Sequence, residues 1–210
     1  MIKKHLKTMI VITIINLLPI LAGLILWNQL PDQLPTHWNA AGEVDSWASK
    51  PLAVFLFPLF MAAIEWVCLI GTLSDPKKAN HSEKVLQLVL WIIPLLNIVL
   101  HVVVYMTAMG KNVQMEMIMP VLVGLMLAVI GNYLPKCKQN YTIGIKIPWT
   151  LSSEENWNKT HRFAGRLWLV CGIALMITGF LGGFGFFVGI AAVMVFAPII
   201  YSYILYKKGV

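Results

Sequence analysis

Charge is what this chain has least of. Asp, Glu, Lys and Arg make up 12% of its 210 residues, while 59% are hydrophobic and the mean hydropathy is +0.76. Soluble domains carry about 25% charged and about 45–50% apolar residues. So few charges cannot clothe a water-soluble surface of this size, which excludes a soluble enzyme and a disordered chain. Acid is scarcer still, at nine residues against sixteen Lys and Arg. Cysteine is nearly absent. Cys68 and Cys171 fall in apolar runs, Cys137 lies in a Lys-rich loop, and no pair has metal-ligand spacing. That excludes a disulfide scaffold and predicts free thiols. Phosphate-cradling glycine loops, His-x-x-x-His and Cys-x-x-Cys are missing too, so no cofactor or metal is expected.

What is present is apolar sequence in long blocks: Thr8–Leu30, Leu52–Leu73, Val85–Met109, Val113–Leu134, Phe163–Leu181 and Phe184–Tyr206. A hydrocarbon core of roughly 30 Å needs about 20 such residues per helix, and the runs are continuous rather than alternating. They predict an all-α, polytopic membrane protein with six transmembrane helices. Lys3, Lys4 and Lys7 resemble the basic start of a signal peptide. The run behind them is too long, however, and Leu26-Trp27-Asn28-Gln29 offers no small-residue cleavage site. The first helix is read as retained.

The net charge of +7 would suggest nucleic acid in a soluble chain. In a membrane chain it reads as the excess of base on cytoplasmic loops, with no direct nucleic-acid partner. If the N-terminus is inside, fourteen of the sixteen basic residues share its face: Lys3, Lys4, Lys7, Lys77, Lys78, Lys84, Lys136, Lys138, Lys146, Lys159, Arg162, Arg166, Lys207 and Lys208. Only Lys50 and Lys111 lie opposite. Both termini are therefore expected in the cytoplasm, in a multi-pass protein of the cell membrane. The chain reads as one membrane domain in three parts: a helical hairpin over 1–73, a central hairpin over 74–134, and a last segment over 135–210. Pro19, Pro58, Pro94, Pro120 and Pro198 put a proline, and the expectation of a kink, in every helix but the fifth. Gly179-x-x-x-Gly183 and Gly185-x-x-x-Gly189 permit close helix packing.

Two loops are too particular to be mere linkers. The first, over 31–50 and expected outside, contains Pro31, Pro35, His37, Trp38, Asn39, Gly42, Asp45, Trp47 and Lys50. The prolines impose extended backbone before them and Gly42 suits a turn. Two readings fit: an interfacial segment pinned by Trp38 and Trp47, or a ligand-contacting surface. The second loop, over 135–161, is expected inside. Tyr141 to Trp149 reads as a short extended segment ending at Pro148, and Ser152-Ser-Glu-Glu155 as a capping box opening a helix into the fifth span. Trp157, Ala164 and Trp168 follow helical spacing on one packing stripe.

These residues resemble a family. Leu34-Pro-Thr-His-Trp-Asn39, Gly42, Asp45-x-Trp47 and Lys50 are similar to the short domain of unknown function that marks Sdp immunity (SdpI-type) membrane proteins. Gly144, Lys146, Pro148, Trp149, Glu155, Trp157, Thr160, His161, Arg162 and Gly165 are similar to the second signature of that family. Both occur in the family's order, and the resemblance covers nearly the whole chain. One departure stands at Lys146, where the family pattern has Arg. Lys cannot reproduce a bidentate guanidinium contact. The resemblance implies protection against a secreted, membrane-active peptide toxin and a relay of its presence to a cytosolic transcriptional repressor held at the membrane. It implies no enzyme activity.

The polar residues inside the spans carry the alternatives. Glu65 lies about 12 Å from the inner end of its helix, Asn16 lies at nearly that depth, and Asn97 and His101 lie higher, at roughly 18 and 24 Å. Ionisable groups within the bilayer are functional candidates by default. Glu65 is expected to hold a proton and bond to Asn16, either as a structural contact or as the coupling carboxylate of a small proton-coupled transporter. An intramembrane enzyme using His37 ranks last, because no convergent acid and base surround it. His37, Glu43 and Asp45 are of types that share a Zn²⁺ elsewhere, but no ligand-spacing pattern supports a site and a polar interfacial role is the expected reading.

Overall fold

The computed structural model describes residues 2–181 and 185–210. Among these, six helices are long and apolar enough to cross a membrane: His5–Ile25, Leu52–Leu73, Glu83–Ala108, Met115–Lys136, Glu154–Phe180 and Phe186–Lys207. The chain is a multi-pass helical membrane protein. Its elements are α1 (Ile2–Ile25), strands β1 (Gln33–Trp38) and β2 (Val44–Ser49), a π-helical turn at Leu52–Leu56, α2 (Phe57–Leu73), α3 (Glu83–Ala108), α4 (Met115–Tyr133), the short α5 (Pro148–Ser152), α6 (Glu154–Phe180) and α7 (Gly185–Lys207). The side chains of Lys3 and Lys4, Phe184, and Gly183 of the Gly179–Gly183 pair lie outside the described residues.

Several boundaries differ from the apolar runs. α1 stops at Ile25, and Leu26 to Leu30 turn toward the hairpin. α6 begins at Glu154, well ahead of Phe163, so its first turns are polar. Its cap is Ser153, whose hydroxyl accepts from Asn156 N at 3.1 Å. Ser152 instead ends α5 and donates to Trp149 O, so the expected capping box is shifted by one residue. Nor do Tyr141 to Trp149 form a strand: Pro148 opens α5, where its missing N–H would have had no partner. Pro58 follows the π-helical turn within the continuous span Leu52–Leu73, and Pro19, Pro94, Pro120 and Pro198 are likewise internal to their helices.

The chain divides into two compact units, Met1–Leu73 with Gln87–Met115, and Ser74–Leu86 with Glu116–Val210. In unit one, α1 and α2 are joined by the Trp66 indole, which donates to Thr13 Oγ1 at 3.1 Å. Leu30, Leu34, Ala53, Val54 and Tyr105 form its apolar cluster at the hairpin end. Ile14, Leu21, Val67 and Ile70 are exposed, as side chains facing lipid are.

Unit two is built on glycines seven residues apart. A Cβ at Gly124 would lie 2.5 Å from Gly172 O, and one at Gly131 would lie 2.8 Å from Gly165 O. The reciprocal approaches, Gly172 to Gly124 O and Gly165 to Gly131 O, are 2.5 and 2.7 Å. The main chains of α4 and α6 therefore touch along one seam, which a seven-residue repeat keeps facing the partner. Gly179 continues it against Met117 and Pro120, whereas Gly189 meets open space, so among the described glycines the close approaches of α6 fall seven residues apart. On the other side of α6, the Trp168 indole donates to Met194 O at 3.0 Å and Phe163 stacks on Tyr201.

Gly172→Ala is expected to destabilise by about 1–3 kcal/mol, because the added methyl meets main chain that cannot rotate away. Gly189→Ala should be near neutral. Melting of the purified protein in detergent checks both, and equal melting temperatures for the two variants would contradict the seam.

Candidate functional site

The sequence singles out three places: the first loop, the second loop and the polar residues within the spans. The first loop is an antiparallel β-hairpin, with Leu34 opposite Ala48, Pro35 opposite Trp47 and His37 opposite Ser46. Register breaks on either side of His37 twist it. The turn is made by Asn39, whose Oδ1 accepts from Ala41 N at 2.9 Å and Glu43 N at 3.0 Å, and by Gly42 at φ 75°. At its foot, Lys50 N donates to Asp32 O, and Lys50 Nζ donates to Trp27 O at 3.1 Å while lying over the Trp27 ring.

These contacts sort the loop residues by direction. Leu34 and Pro35 are buried, and the Lys50 side chain is only 12% exposed. They join the hairpin to the helices, and Asn39 and Gly42 shape its tip. His37, Asp45 and Trp47 face outward, with Trp38 half-buried between the two sets. His37 and Asp45 form an exposed pair, Nδ1 to Oδ1 at 2.5 Å. Glu43 instead accepts from Asn39 Nδ2, so the three do not converge. Among the described residues no group of three or more His, Cys, Asp or Glu could hold a metal ion.

The second loop is a set of main-chain turns held by buried side chains. Asn140 Nδ2 donates to Lys138 O and Ile143 O, while its Oδ1 accepts from Thr142 N and Ile143 N at 2.7–2.8 Å. Gln139 Nε2 donates to Thr150 O and Leu151 O, and Thr150 Oγ1 donates to Ile145 O at 2.7 Å. The Trp157 indole, wholly buried, donates to Cys137 O at 2.7 Å. His161 stacks on Trp157 with ring centroids 4.0 Å apart. Its Nδ1–H donates to Trp157 O and its Nε2 accepts from Ile145 N at 3.0 Å, which fixes the tautomer. Gly144 passes directly over this stack. A Cβ there would lie 2.5 Å from His161 Nε2, and φ is +125°, a conformation only glycine takes without strain. Thr160 donates to Asn156 Oδ1, and Asn156 Nδ2 donates to Ser202 O on α7. Trp149 lies against Tyr203 and Tyr206. Gly144, Trp157 and His161 are thus packed together, Trp149, Thr160 and Gly165 are packed against other neighbours, and Lys146, Pro148, Glu155 and Arg162 are exposed. Glu155 pairs with Lys159.

Sequence reasoning missed the residue at the centre of this loop. Asp75, 3% exposed, accepts from Lys77 N at 2.7 Å, Tyr141 N at 2.9 Å, Thr142 Oγ1 at 3.0 Å and His81 Nε2 at 3.2 Å. Lys77 also donates to Gln139 Oε1, and Asn80 to Gln139 O. The only local signal was Asp75-Pro76 punctuating the end of an apolar run; two of its four partners, Tyr141 and Thr142, are more than sixty residues away. Burial alone would raise the Asp75 carboxyl, but the N–H groups of Lys77 and Tyr141, the Thr142 hydroxyl and neighbouring His81 hold it below the ordinary aspartate range. Burial pushes the Cys137 thiol up to about 11. All three cysteines are free.

Within unit one the structure also brings Asn16, Glu65 and Asn97 together. Asn16 Nδ2 donates to Glu65 Oε2, and Asn97 Nδ2 donates to Asn16 O at 2.9 Å. Asn97 therefore shares the depth of Asn16 instead of lying above it, and His101 follows one turn on, Nδ1 to Asn97 O at 2.9 Å.

Because Asp75 is lowered, its contribution to stability is present above the ordinary aspartate value and is lost as pH falls through its own. Asp75→Asn leaves one oxygen for four donors and should cost about 1–3 kcal/mol at neutral pH. A thiol-reactive dye on a Cys68→Ser, Cys171→Ser background reads this as earlier unmasking of Cys137 on heating. Coincident unmasking curves would contradict it.

With this geometry in hand, the likenesses to known proteins are specific. Residues 136–202 match the SdpI/YfhL protein family, and residues 14–62 match a domain of unknown function, DUF1648. The first match contains the second loop from Lys136 onward together with α5 and α6, and the other contains Asn16 and the hairpin. Over 206 residues, 96% of this chain and 97% of the relative, the sequence is 29% identical to the immunity protein SdpI of Bacillus subtilis (strain 168). No solved structure matches the chain.

Proposed function

The chain belongs to the SdpI-type family of membrane proteins, and from that premise we propose that it is an immunity protein of the cytoplasmic membrane, protecting its cell against a secreted, membrane-active peptide. The observation that carries this reading is the end-to-end similarity to an immunity protein, which spans hairpin, helices and second loop alike. The protein performs no reaction in this account. It acts by contact.

The hairpin is the toxin-facing surface in this reading. A membrane-active peptide arrives along the headgroup layer, where amphipathic aromatic rings prefer to lie. Trp38 and Trp47 supply contact area at little entropic expense, and the His37–Asp45 pair supplies polar direction. Pro35, Asn39, Gly42 and Lys50 hold the frame. The exposed Lys146, Arg162 and Arg166 beside the packed second loop suit a cytosolic partner, such as a repressor held at the membrane. Basic residues on one side support cytoplasmic termini and an external hairpin.

Two measurements test this. A sensitive host expressing the chain should survive at least one member of a panel of membrane-active peptides. Within Pro35 to Lys50, His37→Ala, Asp45→Ala and Trp47→Ala should lose protection at normal membrane levels, whereas Lys50→Ala should lower the amount of protein. Unchanged killing across a broad panel, or full protection by every inserted hairpin variant, would count against the reading. For orientation, a cysteine placed at Ser46 should react with an impermeant reagent on whole cells and one placed at Lys146 should not. Cys137 is buried and cannot report on either face. The reverse labelling would overturn the topology.

A further inference from the structure

Unit one buries three polar side chains among its helices, Asn16 on α1, Glu65 on α2 and Asn97 on α3, none more than 1% exposed. One atom orients them all. Asn97 Nδ2 lies 2.9 Å from the main-chain oxygen of Asn16, which can only accept, so the Asn97 amide must turn its nitrogen toward α1. The same nitrogen lies 3.1 Å from Asn16 Oδ1, so the Asn16 amide presents oxygen to Asn97 and nitrogen to Glu65 Oε2. Flipping either amide would set N–H against N–H or oxygen against oxygen.

With both amides fixed, Glu65 Oε1 and Asn97 Oδ1 are left buried, and each is an acceptor without a donor among the described residues. Both are joined to the same Asn16 amide. One proton resolves both: placed on Glu65 Oε1, it turns one orphan acceptor into a donor and gives the other its partner. The charged neighbours leave little alternative. α2 and the stretch of α1 from Thr8 to Ile25 carry no other charged side chain, and α3 beyond Gln87 offers only His101, a buried ring held by the main chain of Asn97 and Ala53. A carboxylate without a counter-charge is prohibitive at this depth. Toward the hairpin, Tyr105 OH donates to Pro19 O at 2.9 Å, one helical turn from Asn16, and Tyr105 belongs to one apolar cluster with Leu30, Ala53, Val54 and the wholly buried Leu34 of β1.

We propose that unit one encloses a proton-binding site in which Glu65, as a carboxylic acid, donates to Asn97 Oδ1, with the hairpin's Leu34 closing the site from above. Glu65 and Asn97 hold the proton, Asn16 positions both, and the hairpin governs how readily that proton exchanges with water.

Infrared spectroscopy of the protein in lipid nanodiscs at neutral pH tests it without any toxin, so its failure is separable from failure of the immunity reading. Wild type minus Glu65→Gln should show a protonated carboxyl band, and Asn97→Leu should shift that band at equal protein level. Glutamate labelled with ¹³C in the carboxyl group gives a second route needing no variant at Glu65. The other five glutamates are exposed, so a protonated band in the labelled protein is assigned to the one buried glutamate. In heavy water the band should move slowly in wild type and about tenfold faster in Leu34→Ala. If only carboxylate bands are lost in Glu65→Gln, Glu65 is ionised, balanced by His101 or by a bound sodium ion, and the site is overturned. An unmoved band in Asn97→Leu would remove Asn97 as acceptor, and equal exchange in Leu34→Ala would remove the closure.

Discussion

A polypeptide in lipid has to satisfy its main-chain polar groups from within, and everything else in this molecule follows from that constraint. The helices do so by themselves. The two longest irregular stretches each have their own supply of partners. The hairpin pairs its two strands and adds the Asn39 side chain at the tip and Lys50 at the foot. The second loop has no ladder to pair with, so Gln139, Asn140, Thr150, Trp157 and Asp75 take up its carbonyls and N–H groups one by one. That is why Asp75, Gln139, Asn140 and Thr150 are polar and buried at once. A turn held by five side chains has one geometry, and what it leaves exposed is correspondingly fixed.

The parts that could be read in advance are those governed by local rules. Six spans follow from run length, and Gly42 follows from turn chemistry. The errors lie where distant contacts overrule local ones. Ser152 and Ser153 are equally good caps in isolation. The choice of Ser153 is made by α5, which Pro148 starts and Thr150 pins to Ile145 and Ile147. The hairpin was hidden because Pro35 and the register breaks interrupt the alternation that marks a strand. Counting residues from helix ends placed Asn97 above Glu65, because α3 begins in polar sequence at Glu83 and the count assumed every helix enters the bilayer at its first apolar residue. Asp75-Pro76 marked only the end of a run, since the partners that tie Asp75 to the second loop are Tyr141 and Thr142. The glycine seam was legible in principle: Gly165, Gly172 and Gly179 repeat at seven, but a four-residue spacing was sought.

In the immunity reading proposed above, the directions of the hairpin side chains matter more than their identities. The same motif supplies residues that turn in to lock the hairpin and residues that stay exposed. A motif read only as a string gives all of them equal weight. The packed second loop divides in the same way, with Trp157, His161 and Gly144 inside and Lys146 and Arg162 outside. Locked frames carrying a few free side chains suit recognition without catalysis, because little conformational freedom remains to be lost on contact.

The central claim is that the outward face of the hairpin meets the toxin. Photo-crosslinking measures that directly. A benzophenone amino acid is placed at Trp47, and separately at Trp149, in cells exposed to a peptide against which the chain protects. The account predicts a covalent adduct with the peptide from position 47 and none from position 149. An adduct from 149 alone, or none from 47 while protection persists, would contradict it.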